Sequence, residues 1–198
     1  VTEAAGEVSG AEPALGRLWA GWRSAFVMAS ADAGNRPQRQ GGAGDESQPT
    51  DCVFCALFAS GRPDTDTHIV WRHGGGLAVA ILNRYPYTSG HLMVMPIRHV
   101  ADMEALSADE SAAVWLGMAD AVRALKDAYR PEGFNLGANL GQAAGAGVPS
   151  HFHLHVVPRW VGDTNFMTTA ADARVLPEAL ADTDARVRAA WPRGGGAS

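Results

Sequence analysis

Three imidazoles alternate with apolar residues in His151-Phe-His-Leu-His-Val-Val157. On an extended chain successive side chains point to opposite faces. His151, His153 and His155 are therefore expected to share one face, while Phe152, Leu154 and Val156 turn into a core. Such a row has two chemical uses. The first is metal ligation, but three alternating strand positions span about 13 Å, so at most a neighbouring pair can reach one ion. The second is nucleophilic catalysis at phosphorus: neutral imidazole is a competent nucleophile near pH 7, and a covalent intermediate divides one difficult displacement into two easier ones. His153, with a histidine on each side to orient it, contact phosphate oxygens or deliver a proton, is the candidate nucleophile.

The segment before this row, Asn139-Leu-Gly-Gln-Ala-Ala-Gly-Ala-Gly-Val-Pro149, offers backbone N–H groups with little side-chain obstruction. A glycine-rich loop of this kind can cradle phosphate oxygens even in an acidic protein. A second constellation is Cys52-Val-Phe-Cys55. By itself the pair reads as half of a four-ligand metal site, as a redox dithiol, or as two core thiols. His68 and His73 fall near turns and are expected to face solvent.

These residues need elements to hold them. Residues 51–60 read as a short helix carrying the cysteines, 69–72 and 77–82 as strands around a Gly74-Gly75-Gly76 turn, and 91–95 as a third strand ended by Pro96. Ser107-Ala-Asp-Glu110 is a capping-box pattern, and Val114, Leu116, Met118, Ala121, Val122 and Leu125 supply a buried face to about Tyr129. Strands follow at 134–140 and 151–158, around a loop at 141–150, and a helical pattern covers 177–191. Strands, a long helix and two more strands predict an α+β fold with a mainly antiparallel sheet.

The domain is expected to occupy residues 51–167. Residues 1–50 form an N-terminal extension expected to be partly disordered, except near 13–29, where Leu15, Leu18, Trp19, Trp22, Phe26 and Val27 recur at helical spacing. Residues 168–198 are read as a C-terminal helical extension and tail. At 198 residues the chain suits one core. Its net charge of −5 gives no global field to draw in a nucleic-acid backbone, so no nucleic-acid partner is expected. No run of about 18 apolar residues suggests a membrane span, and no signal peptide is visible, so the expected compartment is the cytoplasm.

The His-Phe-His-Leu-His-Val-Val motif with Pro158-Arg159 resembles the signature of the histidine triad (HIT) superfamily. The resemblance extends back through Asn83-Arg-Tyr-Pro-Tyr-Thr-Ser-Gly-His-Leu-Met-Val-Met-Pro-Ile-Arg-His99 and Asn135-Leu-Gly-Ala-Asn-Leu-Gly141, and forward through Trp160-Val-Gly-Asp-Thr-Asn-Phe-Met167. Within the superfamily, these features most resemble the actinobacterial branch that includes diadenosine tetraphosphate (Ap4A) phosphorylases. The resemblance implies a homodimeric HIT-like fold whose central histidine, His153, is nucleotidylated at an α-phosphate with His155 assisting. It also implies a base pocket at Val53, Phe54, Leu57 and Ile81, a ribose contact at Asn83 and a phosphate contact at Asn139. Many members carry Gly-Gln-Ser before the triad. Here Ala146-Gly147 stands at about that place, so phosphate contacts are expected from Gly145, Gly147 and Ser150.

For the cysteines, the resemblance implies a structural zinc held by Cys52, Cys55, His99 and His151. The function it implies is nucleotidyl transfer from a dinucleoside polyphosphate, with Ap4A phosphorolysis to ADP and ATP when inorganic phosphate is the acceptor. A hydrolase of dinucleoside polyphosphates or nucleoside phosphoramidates is the alternative. A non-catalytic nucleotide-binding interaction module is the second, and the intact His153 weighs against it.

Overall fold

A computed structural model of the chain describes residues 51–163 and 178–192. The expected helix at 13–29 and the Thr164–Met167 end of the motif lie outside the described residues. The cysteine helix, α1, spans Val53–Phe58 with Cys52 as its N-cap residue. A one-turn helix, α2 (Asp64–Thr67), follows. Its polar sequence carries no apolar period that would mark it.

Strands β1 (Ile69–Arg72), β2 (Ala78–Leu82) and β3 (Leu92–Pro96) come next. The long helix α3 covers Ala108–Tyr129. It starts where the sequence says: Ser107 Oγ accepts from the Glu110 N–H, and the Glu110 carboxylate accepts from the Ser107 N–H, a complete capping box. β4 (Gly133–Gly137), β5 (Leu154–Arg159) and α4 (Leu180–Ala190) complete the described elements, with 3₁₀ turns at Met103–Ala105 and Gln142–Ala144.

The strands form one antiparallel sheet in the order β1-β2-β3-β5-β4. Strands β2 and β3 are buried at every position, so they are apolar throughout instead of alternating. One face packs against α3 and α4 through Ala80, Leu82, Leu92, Val94, Phe152, Val156, Leu125 and Val187. The other face lies under α1, with Val79, Ile81, Met93 and Met95 against Cys52, Phe54 and Cys55. The result is an α+β arrangement with helices on both sides.

Three sequence expectations change. The final strand starts at Leu154 and not at His151, because the Phe152 N–H donates to the Val100 carbonyl (2.6 Å), outside the sheet ladder. β4 stops at Gly137, three residues short of the expected end. Leu116 lies on the flank of α3 and is 37% exposed.

Candidate active site and metal cluster

The face of the histidine row is as the period of two requires. Phe152 and Val156 lie in the helix-side core with Leu154 packed against it, and the three imidazoles point to the α1 side. There they form two adjoining centres.

At one end, the ligand atoms of Cys52, Cys55, His99 and His151 all lie within 4.8 Å of one another. His151 Nδ1 is 3.4 Å from Cys52 Sγ and 3.6 Å from Cys55 Sγ, and His99 Nδ1 is 3.3 Å from Cys55 Sγ. A tetrahedral ion with metal–sulfur bonds of about 2.3 Å and metal–nitrogen bonds of about 2.0 Å needs S···N edges of about 3.5 Å, so the residues fit such an ion. The His151 tautomer fits too. Its Nε2–H donates to the Pro96 carbonyl (2.9 Å), which leaves the Nδ1 lone pair directed at the thiols. Burial pushes the Cys55 thiol up to about 11, helped by the neighbouring Cys52, so a cation at the cluster would be needed to make Cys55 a thiolate.

The second centre begins one position along the row. His153 is 5% exposed, and its Nδ1–H donates to the His151 carbonyl at 2.8 Å. That bond leaves Nε2 unprotonated, the atom with a lone pair to offer. Burial holds His153 below the ordinary histidine range, so the ring is neutral near pH 7. Phe54 touches both centres, with its ring centroid 5.4 Å from those of His151 and His153.

His155 stands 5.1 Å from His153, ring centre to ring centre. Burial, then the neighbouring His153, brings its pKa down to about 4. Its orientation comes from His91, which no sequence pattern marks. The Tyr87 N–H donates to His91 Nδ1 (3.0 Å), so His91 must carry its proton on Nε2, which donates to His155 Nδ1 (2.9 Å). His155 therefore keeps its own proton on Nε2. No local pattern singles His91 out, and only the pairing of Met93 with His155 brings it to the histidine row.

The remaining expected residues distribute as follows. Ile81 and Leu57 belong to the apolar cluster beside Phe54, and Val53 sits on its rim, 57% exposed. Asn83 Oδ1 accepts from the Tyr85 N–H (2.9 Å), while its Nδ2 approaches His91 Nδ1 at 3.4 Å. Asn139 and Ser150 are half-buried at the two ends of the glycine-rich loop. The Gly145 N–H donates to the Gln142 carbonyl (2.9 Å) and closes the 3₁₀ turn. His68 does not face open solvent, because its Nδ1 lies 3.1 Å from Asp184 Oδ2 on α4.

Comparison with known proteins gives a consistent picture. A profile of the HIT domain matches residues 62–161. An AP-4-A phosphorylase of Mycobacterium tuberculosis is 46% identical over 119 residues, which cover 60% of this chain and 61% of that protein. The chain thus matches less than two thirds of that relative's length. An uncharacterized HIT-like protein of the same organism is 36% identical over 149 residues, covering 68% of this chain and 96% of the relative. Among solved structures, a Zn-bound histidine triad family protein from Mycobacterium smegmatis superposes with a TM-score of 0.57 at 30% identity, covering 71% of this chain and 92% of that one.

Proposed function

The chain belongs to the HIT domain family, and from that premise we propose that it is a nucleotidyl transferase that breaks down dinucleoside polyphosphates through a nucleotide carried on His153. The carrying observation is the His153 Nδ1–H bond to the His151 carbonyl, which leaves Nε2 as the free nucleophilic atom. His153 Nε2 attacks the α-phosphorus of Ap4A. The N–P bond forms as the P–O bond to the leaving ATP breaks, and the electron pair departs on the ATP oxygen. Inorganic phosphate then attacks the same phosphorus, the N–P bond breaks back onto Nε2, and ADP is released.

Phe54, Leu57, Ile81 and the rim residue Val53 receive the adenine, and Asn83 holds the ribose. Asn139, Ser150 and the Gly147 amide contact phosphate, with Gly145 shaping the loop through its left-handed backbone (φ 85°). His155 donates a hydrogen bond from Nε2 to the bridging oxygen without giving up its proton. A polyphosphate leaves as a stable anion, since a terminal phosphate ionises near pH 6. An amine must be protonated to leave. A histidine whose pKa burial brings down to about 4 is almost wholly neutral at pH 7, which suits a leaving group that needs no proton.

Zinc at Cys52, Cys55, His99 and His151 would occupy a closed four-ligand site of structural type. It would tie α1 to the start of the histidine row. We further propose a homodimer: β4 is an edge of the sheet and leaves Leu136 48% exposed, with Leu140 at 50% just beyond it.

The acceptor is tested by incubating the protein with Ap4A with and without inorganic phosphate. ADP that forms only when phosphate is present supports the phosphorylase; AMP formed without phosphate would assign the hydrolase instead.

A further inference from the structure

Phe54 packs edge-on against both centres at once. Its ring centroid lies 5.4 Å from those of His151 and His153, and among the described residues it is the one ring that packs on both. The same side chain stands between Cys52 and Cys55 in the sequence, on a helix of only six residues. A helix that short is not stable by itself, because nucleation fixes several residues for a single hydrogen bond. Nor does a cap hold it: Cys52, the N-cap residue, makes no side-chain bond to the first turn. Contacts with the sheet must therefore keep α1 in place. On one side these are the two thiols, which meet His99 and His151 at 3.3 to 3.6 Å. A thiol is a weak hydrogen-bonding group. On the other side they are Phe54, Leu57 and Phe58 against β2 and β3, with the Phe58 ring also 6.0 Å from that of His151.

We propose that Phe54 is the positioning residue that couples the metal cluster to the nucleotide site, so that an ion at Cys52, Cys55, His99 and His151 and a base against Phe54 each strengthen the binding of the other. The coupling rests on the functional reading above, with zinc as the ion. Two of the four ligands belong to α1 and its N-cap, and the other two to the chain after β3 and to the start of the histidine row. Closing that ligand set replaces weak thiol contacts with metal–ligand bonds and fixes α1 on the sheet. Phe54, one residue before Cys55, is then in place before the base arrives, and less ordering remains for the nucleotide to impose. Ile81 offers the contrast. It lies in the same apolar cluster, but β2 places it through pairing with Ile69 and Met93, independently of α1. The coupling therefore runs through Phe54 and bypasses Ile81. Linkage makes it reciprocal: the factor by which the ion raises nucleotide affinity equals the factor by which the nucleotide raises metal affinity.

The test uses the full chain with zinc and AMP as probes, neither of which requires turnover. Zinc affinity is measured by competition with a chromophoric chelator, with and without saturating AMP. AMP affinity is measured by calorimetry on zinc-loaded and chelator-stripped protein. In the unsubstituted protein the two factors are expected to be equal, at about tenfold. Phe54→Ala should bind AMP more weakly and reduce both factors to less than about twofold, whereas Ile81→Ala should weaken AMP yet keep the full factor. Zinc affinity indifferent to AMP in the unsubstituted protein would overturn the coupling. So would a factor that survives in Phe54→Ala, the outcome expected if stripping unfolds the chain and the ligands communicate only through global stability. Equal loss in Ile81→Ala would overturn the role of Phe54. Purified protein that holds no zinc would sink the metal site and the coupling with it. Failure to consume Ap4A would sink the functional reading separately, because both affinities are read without turnover.

Discussion

In the proposed mechanism His155 works as a neutral hydrogen-bond donor, and pH tests that directly. Burial is the leading cause that lowers both His153 and His155, the latter to about 4. His153 therefore titrates below the ordinary histidine value of 6.5 and His155 stays neutral through it, so the acid limb of kcat/KM is expected below 6.5. A limb at or above 6.5 would contradict the assignment. Stability carries the same sign: between 6.5 and about 4 the unfolded chain takes up protons that folded His155 refuses, so stability should decline as pH drops through that window. His91→Ala removes the donor that fixes the His155 tautomer. We expect kcat to fall on the order of tenfold or more with KM little changed, read by steady-state kinetics. The common face of His151, His153 and His155 was legible because a period of two survives even where Phe152 leaves the ladder. His99 was legible only through family resemblance, and His91 not at all. Each acquires its partner across the fold, His99 44 residues from Cys55 and His91 64 from His155, and local patterning carries no trace of such distances.

Elements aim these residues, and two are held by features open to single substitutions. Gly90 leads into His91 with φ +82°, and a Cβ there would sit 2.8 Å from Leu125 Cδ2 and 3.4 Å from the Pro158 ring. Gly90→Ala combines backbone strain with a clash against α3. It should cost more than about 1 kcal/mol in denaturant unfolding and reduce kcat by shifting His91. Glu110 closes the α3 capping box and binds Arg98 through both oxygens (2.7 Å each), anchoring the residue next to His99. Arg98, foremost among the causes, holds the Glu110 carboxyl down to about 2. Its contribution to stability is therefore present above the ordinary carboxylate range and lost as pH falls toward 2. Glu110→Ala is expected to destabilise by about 1–2 kcal/mol at neutral pH, measured by chemical denaturation. Helix α3 was the most legible element because cap, period and length agree in the sequence. The ends of β4 and β5 were not, because they depend on which carbonyl captures a given N–H. For Phe152 that carbonyl belongs to Val100, on the chain leaving β3.

For the molecule as a whole, the Cys52, Cys55, His99 and His151 cluster and the β4 edge depend on parts that the sequence keeps apart. Purified under reducing conditions, the protein is expected to carry about one zinc per chain. Cys55→Ser should lower that stoichiometry sharply, as measured by elemental analysis, and a full complement in the variant would contradict the site. Leu136→Lys should shift the mass seen by light scattering from dimer toward monomer. The α+β class and antiparallel sheet were readable from element order, whereas the edge position of β4 follows from a pairing order that periodicity does not contain. Intact-mass analysis after mixing with Ap4A tests the proposed nucleotide on His153 most directly. The reaction is run without inorganic phosphate and quenched in alkali, where a phosphorus–nitrogen bond survives. The expected result is an added mass of one AMP that vanishes on a phosphate chase with release of ADP, and that never forms in His153→Ala. Turnover of Ap4A by the His153→Ala protein, with no adduct at any time in the wild type, would contradict it.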